Sequence, residues 1–290
     1  MLKQYIFKNR LNLDNQNLER LPNELGHLNF LESISLYNNQ LKELSDEIWT
    51  IKSLRHLNAS ANNINSISEQ IEALEKLETL DMNGNKLSAL PDNLYKLPLT
   101  KYLYMADNEF SMIPNVVTQL RRLEYLNFSG NKIKQLPEDM GGLESLIELR
   151  IYNNQISTIP SSIGECNKIR ELHLMNNQIK NLPYEIGHLT ELRILDCSDN
   201  QIEQVPQTLG FLDSLKILNL RNNNLNSLID EIGNLSELIY LDLRNNQLTE
   251  LPMSILKLKK LEKLDLRCNK KFEYPNWLFE LESHGCVLMH

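Results

Sequence analysis

The sequence has little cysteine, few aromatic residues and no excess of basic charge. Its 290 residues include four cysteines, and aromatic side chains make up 7% of the chain. Acidic residues outnumber basic ones by 38 to 30, which gives a formal net charge of -8. Because nucleic-acid binding requires a basic surface, this balance argues against a nucleic-acid partner. Since aromatic residues are scarce, aliphatic side chains are expected to fill most of the core.

Long apolar runs are also missing. No run approaches the roughly 18 apolar residues of a membrane-spanning helix, so no membrane insertion is expected. The first ten residues, MLKQYIFKNR, contain no apolar stretch typical of a secretion signal. The cysteines are far apart and form no C-x-x-C pair, which argues against a disulfide framework. A cytoplasmic location is therefore predicted, while non-classical secretion or effector export, which leave no N-terminal signal, stay open.

The dominant feature of the sequence is a repeat of 23 residues. With Leu31 as position 1, position 4 is leucine or isoleucine from Leu11 to Leu264, and position 9 is asparagine in eleven of twelve repeats. Position 15 is proline in nine repeats, and no insertion interrupts the spacing. Such a repeat predicts a solenoid, in which each unit buries its apolar face against its neighbours. We expect one domain over 1–290, with an N-terminal cap at 1–7, twelve repeats over 8–283 and a capping strand at 284–290.

Each repeat contains the pattern of a short strand followed by a return segment. Positions 4 and 6 are apolar between polar neighbours, which is the alternation of a half-buried β-strand, and stacked strands predict a parallel sheet. Proline at position 15 and glycine at position 19, found in six repeats, favour short 3₁₀-like or extended returns over long helices. If the 23-residue numbering continues past residue 283, Val287 and Met289 fall at positions 4 and 6, the core positions of a last strand.

The asparagine at position 9 stands where the chain leaves the strand. Its amide group can both donate and accept hydrogen bonds, so it can satisfy backbone groups of the turn along the stack. These residues are predicted to form a structural ladder: Asn39, Asn62, Asn85, Asn108, Asn131, Asn154, Asn177, Asn200, Asn223, Asn246 and Asn269.

The pattern L-x-x-L-x-L-x-x-N-x-L-x-x-L-P-x-x-I-x-x-L resembles the leucine-rich repeat family over nearly the whole chain. The 23-residue spacing and the Leu-Pro pair resemble its intracellular and small bacterial members. This resemblance implies an α/β fold: a right-handed, horseshoe-shaped solenoid with a concave parallel sheet and short 3₁₀, helical or extended convex segments. It also implies a role in protein binding.

Positions 3, 5 and 7 are predicted to point away from the core and to line the concave face, which solenoids commonly use for binding. Tyrosine and arginine are frequent anchors of protein interfaces, although strand surfaces also favour tyrosine and isoleucine for other reasons. Three arginines at position 7 either bind an acidic or phosphorylated partner or form ion pairs with Asp196, Asp242 and Asp265. The predicted partner-binding residues are Tyr102, Tyr104, Tyr125, Arg150, Tyr152, His173, Met175, Ile194, Ile217, Tyr240, Arg221, Arg244 and Arg267.

Catalysis has little support in the sequence. The histidines show no ligand spacing such as H-E-x-x-H, and the polar groups of the concave face predict an open, wet surface. No catalytic residue, metal site or cofactor is therefore predicted. We expect a monomeric, non-catalytic scaffold or adaptor that binds an unidentified protein on its concave face. The alternatives are a regulatory subunit of a signalling enzyme and a bacterial effector that binds host proteins.

Overall fold

The computed structural model describes residues 2–290. The chain divides into two compact units, Met1–Ile133 and Lys134–His290. In both units a short strand alternates with a 3₁₀ helix, and the strand repeats at the spacing of the sequence repeat. The predicted parallel strands with short 3₁₀ returns are confirmed.

The first unit contains seven strands that pair in sequence order. β1 is antiparallel to β2, and β2 to β7 are parallel. The strands are β1 (Ile6–Phe7), β2 (Arg10–Asn12), β3 (Ser33–Ser35), β4 (His56–Asn58), β5 (Thr79–Asp81), β6 (Tyr102–Tyr104) and β7 (Tyr125–Asn127). The 3₁₀ helices span Leu2–Tyr5, Asn23–His27, Asp46–Thr50, Glu69–Ala73, Asp92–Lys96 and Asn115–Gln119.

The second unit repeats this arrangement with seven parallel strands. They are β8 (Glu148–Arg150), β9 (Glu171–His173), β10 (Ile194–Asp196), β11 (Ile217–Asn219), β12 (Tyr240–Asp242), β13 (Lys263–Asp265) and β14 (Val287–Met289). The 3₁₀ helices span Met140–Gly142, Ser161–Glu165, Tyr184–His188, Gln207–Phe211, Asp230–Asn234, Met253–Lys257 and Asn276–Phe279, and a single α-helical turn, α1, covers Glu280–Ser283.

The middle residue of each repeat strand faces the core, and the first and third residues face the other way. Leu80 and Leu103, for example, are fully buried, whereas their neighbours Thr79 and Tyr102 are half-buried. The core is mainly leucine and isoleucine, as the scarcity of aromatic residues predicted. The exposed sheet face, formed by positions 3, 5 and 7 of each repeat, is the surface that was predicted to be concave.

Within each unit, the asparagines of position 9 join a repeat to the one before it. Asn62 donates from Nδ2 to the carbonyl oxygens of Ala59 in its own repeat and Leu36 in the previous one, and its Oδ1 accepts from the Leu41 backbone, all at 3.0–3.1 Å. Because these groups are buried, each would carry a desolvation cost if left unpaired. Equivalent triplets occur at Asn39, Asn85, Asn108, Asn131, Asn177, Asn200, Asn223, Asn246 and Asn269. Asn154 donates to the carbonyl oxygens of Ile151 and Tyr152.

The residue immediately before each ladder asparagine has a left-handed backbone. Asparagine, aspartate and glycine tolerate this conformation, and they occupy most of the twelve positions with this φ. Ala61 (φ 53°) and Cys268 (φ 65°) are the exceptions. The position 8 residues are Asn15, Asn38, Ala61, Gly84, Asp107, Gly130, Asn153, Asn176, Asp199, Asn222, Asn245 and Cys268. This preference at position 8 is a signal in the sequence for the left-handed turn.

The ends of the chain differ from the repeats in two ways. At the N-terminus, β1 forms an antiparallel hairpin with β2, and Leu2 is buried beneath it. At the C-terminus, Val287 pairs with Lys263, a separation of 24 residues instead of 23. Leu288 therefore faces the core while Val287 is exposed, so the prediction that Val287 and Met289 occupy core positions is wrong. The α-helical turn α1 follows the last 3₁₀ helix directly, and the strand after it is displaced by one residue relative to the repeat.

Glycine at position 19 allows the 3₁₀ helices of neighbouring repeats in the second unit to approach closely. A Cβ atom added at Gly187 would lie 2.4 Å from the carbonyl oxygen of Thr208 in the next repeat. At Gly26, in the first unit, the nearest atom would be the Cβ of Glu47 at 3.3 Å. The same position therefore carries a strict packing constraint in one place and a mild one in another.

We expect Ala61→Gly to raise the free energy of unfolding by about 0.5–1 kcal/mol. The change removes the left-handed strain of an alanine, which outweighs the added chain entropy of glycine. Ala106→Gly is the matched control, because Ala106 lies in an equivalent turn without a positive φ, and it should lower stability by a similar amount. Urea unfolding followed by circular dichroism measures both, and a less stable Ala61→Gly variant would contradict the account of the turn.

We expect Gly187→Ala to lower the free energy of unfolding by about 1–3 kcal/mol, because its Cβ would overlap a backbone carbonyl that cannot easily move. Gly26→Ala should change stability by less than about 1 kcal/mol, since its neighbour Glu47 lies 3.3 Å away and has to move only slightly. Thermal and urea unfolding of the two variants provide the comparison. Equal losses would show that close approach is not the reason for glycine at position 19.

Candidate functional site

Three tyrosines form a cluster on the exposed sheet face of the first unit. Tyr102 and Tyr125 are in register on β6 and β7, with ring centroids 4.8 Å apart. Tyr104, two residues along β6, places its ring 5.2 Å from that of Tyr102. All three side chains are half-buried, so their rings support one another and leave an edge open to solvent. Tilted aromatic contacts of this kind hold large side chains in defined positions.

An apolar row crosses the exposed sheet face of the second unit. Ile194, Ile217 and Tyr240 are in register on β10, β11 and β12, and each is half-buried. Lys263 continues the row on β13, with its ammonium nitrogen 5.0 Å from the centre of the Tyr240 ring. The row therefore ends in a cation–π contact, which covers one face of the tyrosine.

The remaining predicted contact residues of the second unit fall into two groups. Tyr152 and Met175 lie at position 7, where the chain leaves the strand, and both are half-buried. Arg150 bonds to Glu148 on its own strand, and the Nε2 atom of His173 lies 3.1 Å from Glu171. Arg150 and His173 are therefore engaged in polar contacts within the sheet face.

The arginines of position 7 are paired with carboxylates. Arg267 binds Asp265 through Nε and Nη2 at 3.0 and 2.8 Å, and the Nε atom of Arg244 lies 3.0 Å from Asp242 and 3.3 Å from Asp265. The side chains of both aspartates are almost fully buried, with 1% and 0% exposed. Charge-assisted bonds compensate the burial of these carboxylates.

The pairing of Arg221 differs from the expectation. Its Nη2 atom contacts Asp199, at 3.0 Å, and not Asp196. Asp196 instead accepts from the backbone and hydroxyl of Ser198 and from the amide of Asn219. Because Asp199 occupies the left-handed position 8, its side chain projects beside the next repeat, and Asp196 has both oxygens engaged. The predicted Asp196 partner is therefore wrong.

Burial and hydrogen bonding act in opposite directions on two position 5 aspartates. Burial favours a higher pKa for Asp242, but bonds from Arg244 and from the Tyr240 hydroxyl outweigh it and hold the pKa below its ordinary value. Burial also raises the pKa of Asp81, and the single bond from the Asn83 backbone does not compensate. Burial, together with the bond to the Asp242 carboxylate, raises the pKa of Tyr240 to about 12.

A cluster of potential metal ligands lies on β8 and β9. One donor atom from each of Glu148, Glu171 and His173 can be chosen so that all lie within 4.8 Å of one another. Glu148 and Glu171 occupy position 3 of consecutive repeats, 23 residues apart, so no local spacing motif reveals them. Only strand pairing brings the two glutamates together.

Three cysteines are buried and one is exposed. Burial raises the pKa of the Cys166 thiol to about 12, and its Sγ donates to the carbonyl of Met140 at 3.0 Å. Burial also raises the pKa of Cys197 and Cys286. Since the thiolate is the nucleophile, these three thiols are poorly suited to covalent chemistry.

Comparisons with known proteins were made for sequence and for structure. The sequence model described as Leucine rich repeat matches residues 121–179, 167–225, 190–248 and 213–270, and the model described as Leucine Rich repeats (2 copies) matches residues 52–96. No curated protein matches the chain. Among residues 2–290, no helix is both long and apolar enough to cross a membrane.

Several solved structures are similar to this chain. A leucine-rich repeat protein of Leptospira interrogans is 31% identical, with 97% of this chain and 83% of that chain covered and a TM-score of 0.67. A TDR receptor is 27% identical, with 89% and 47% covered and a TM-score of 0.79. The Arabidopsis receptor kinase HAESA, solved with the peptide hormone IDA and the co-receptor SERK1, is 27% identical, with 89% and 54% covered and a TM-score of 0.69. The chain spans about half the length of these two receptors.

We expect Asp242→Asn to lower the free energy of unfolding by about 2–4 kcal/mol at pH 7, because it removes a buried partner of Arg244. Since the pKa of Asp242 is lowered in the folded protein, its stabilisation is present above the unfolded value of about 3.9 and is lost as the pH falls through the folded-state pKa. The variant should therefore lose less stability on acidification than the original protein. Urea unfolding between about pH 7 and pH 2 measures the difference.

Asp81→Asn is the matched comparison and should act in the opposite direction. The raised pKa of Asp81 means that its ionised form disfavours folding at neutral pH, so the amide should add up to about 1 kcal/mol. Asn58, at the same position, already accepts a backbone bond from Ser60, so the hydrogen bond to residue 83 should survive. The gain should disappear below the unfolded pKa of about 3.9, where the aspartate is protonated in both states. A variant less stable than the original at pH 7 would refute this.

Proposed function

Because the chain belongs to the leucine-rich repeat family, we propose that it is a non-catalytic scaffold that binds a protein partner on its exposed sheet face. The family inferred from the 23-residue repeat is thereby confirmed. The observation that carries the proposal is the apolar content of that face. It comprises the tyrosine cluster in the first unit and the row of Ile194, Ile217 and Tyr240 in the second.

These side chains lie on the side of the strand opposite the core, yet they are mostly apolar. Contiguous apolar groups on a protein surface commonly mark an interaction site. Tyrosine is well suited to such a site, because it offers a large contact area with a polar tip and few rotatable bonds. Half-buried rings, such as those of Tyr102 and Tyr125, have already lost part of their freedom and lose little more on binding.

The backbone beneath these residues supports preorganisation as well. Each repeat strand is hydrogen-bonded in register to its neighbours, and the turn that follows it is tied to the previous repeat by the asparagine ladder. A surface held in this way presents its contact residues with little entropic cost of association. A rigid, open surface of this kind favours a partner that is recognised by its shape over a small ligand that has to be enclosed in a pocket.

The similar structures are consistent with a protein or peptide ligand. HAESA was solved with a peptide hormone and a co-receptor, and the TDR protein is described as a receptor. A ligand of the same class is our proposal for this chain. An enzyme would need a pocket that excludes water, whereas these side chains form an accessible face, which supports binding over catalysis.

We propose that Arg221, Arg244 and Arg267, the arginine row, form ion pairs with aspartates and do not contact the partner. Arg244 and Arg267 bind carboxylates that are almost fully buried, and an acidic ligand would have to compete with them. Removing either arginine from its aspartate would leave a buried charge unpaired, which is costly. Ile194 and Ile217 carry no charge, so a partner can contact them without separating a buried ion pair.

A bacterial effector that binds host proteins is a second candidate. The similarity to the Leptospira interrogans protein is the observation that favours a bacterial origin. The same exposed sheet face would serve this role, so the two candidates differ in the partner and share the contact surface.

A displayed peptide library tests the proposal although the natural partner is unidentified. Peptides selected on the full chain should bind at least tenfold more weakly to a Tyr102→Ala, Tyr125→Ala variant or to an Ile194→Ser, Ile217→Ser variant, since interface anchors each contribute more than about 1 kcal/mol. Tyr184→Ala is the matched control, because Tyr184 is 61% exposed and lies on a 3₁₀ helix away from the strands. Affinity is measured by surface plasmon resonance, with thermal unfolding to verify the fold. Peptides that bind both sheet-face variants normally but lose affinity for the control would overturn the proposal.

A further inference from the structure

We propose that Glu148, Glu171 and His173 bind a divalent transition-metal ion of the zinc class. The site lies on the exposed sheet face of β8 and β9 and does not depend on the proposed scaffold function. Its three donor groups, two carboxylates and one imidazole, lie within 4.8 Å of one another.

The donor set matches the chemistry of zinc. Zinc is bound in proteins by imidazole nitrogen and carboxylate oxygen at about 2.0–2.2 Å, and three protein ligands leave one position open. In a tetrahedral site with those bond lengths, the donor atoms are roughly 3.3–3.6 Å apart. His173 Nε2 and Glu171 Oε2 are already 3.1 Å apart, and an oxygen of Glu148 has to move closer to them to complete the set.

The strands hold the three residues in place. Glu148 pairs with Glu171, and Arg150 pairs with His173, in the parallel register of β8 and β9. The intervening residues Leu149 and Leu172 are fully buried, which anchors both strands to the core. The side chains of Glu148 and His173 are 14% and 16% exposed and that of Glu171 is 38% exposed. Two of the three ligands are therefore partly desolvated, which strengthens their attraction for a cation relative to water.

The charges at this point of the sheet are not balanced. Two carboxylates of the same row stand on neighbouring strands, about 4.8 Å apart, and like charges directly opposite one another repel. In the arginine row, Asp242 and Asp265 share two guanidinium groups, Arg244 and Arg267. Here Arg150 pairs with Glu148, while over residues 2–290 the only ion-pair partner of Glu171 is His173, which is charged only when protonated. A divalent cation would neutralise the excess.

Arg150 competes with the metal for one ligand. Its guanidinium bonds to the Glu148 carboxylate, and that contact must loosen when Glu148 coordinates an ion. Because of this competition, replacing Arg150 and replacing a ligand should change the affinity for the metal in opposite directions. Replacing a ligand weakens binding, whereas replacing Arg150 with an uncharged residue frees a ligand and removes a repelling cation.

Calorimetric titration of the chelator-treated full chain with zinc chloride tests the site. We expect one ion per chain, with affinity reduced at least tenfold in Glu171→Gln and in His173→Ala and increased several-fold in Arg150→Gln. His56→Ala is the matched control, because His56 lies on β4, contacts Thr79 and has serine and threonine as its strand neighbours; it should bind like the original protein. Cobalt substitution provides a second readout, since its visible absorption reports the coordinating ligands.

Circular dichroism establishes that each variant is folded, and zinc should raise the melting temperature of the original protein but not that of His173→Ala. If Glu171→Gln and His173→Ala bind zinc as tightly as the original, the ion is held elsewhere, for instance at the exposed Cys268, and the proposal is overturned. Weaker or unchanged binding by Arg150→Gln would overturn the assignment of Glu148 as the third ligand.

Discussion

The buried amide at position 9 is the constraint on which the repeat depends. A strand of three residues ends in a turn, and the backbone groups to which the asparagine bonds there are buried. One asparagine satisfies groups of its own repeat and of the one before it, as Asn200 does with the carbonyls of Cys197 and Leu174. A buried group left unpaired would cost about 1–3 kcal/mol, so each repeat keeps an amide at this place in the turn. The left-handed residue before each asparagine turns the amide into the stack.

This regular spacing turns a one-dimensional pattern into a surface. Residues 23 positions apart become strand neighbours, so each exposed row of the sheet is composed by choosing one residue per repeat. In the first unit the rows bring tyrosine rings into contact. In the second they produce an apolar row, a ladder of aspartate and arginine, and a pair of glutamates beside a histidine. The core and the exposed face are independent, because alternate residues of a strand point to opposite sides.

The polar rows show how the environment decides the role of a residue type. Asp242 and Asp81 both stand at position 5, and each accepts a hydrogen bond from the backbone of the turn that follows its strand. Asp242 has guanidinium and hydroxyl donors that favour its ionised form, whereas burial of Asp81 is not offset in this way. Glu148 and Glu171 have one guanidinium between them, and this imbalance is the basis of the proposed cation site. Two aspartates at the same position of the repeat therefore affect stability in opposite directions, according to their neighbours.

The repeat, a short strand around positions 4 and 6, short 3₁₀-like or extended returns and the aliphatic core could be predicted from the sequence, because each depends on periodic burial or on local backbone preference. The preference for asparagine, aspartate and glycine at position 8 was equally local and could have predicted the left-handed turn. Three features required the three-dimensional structure. Leu288 faces the core in place of Val287, and Arg221 pairs with Asp199 and not with Asp196. Glu148, Glu171 and His173 lie close together. These outcomes depend on side-chain geometry between residues of different repeats, and on a single-residue change of phase, neither of which a periodic pattern contains.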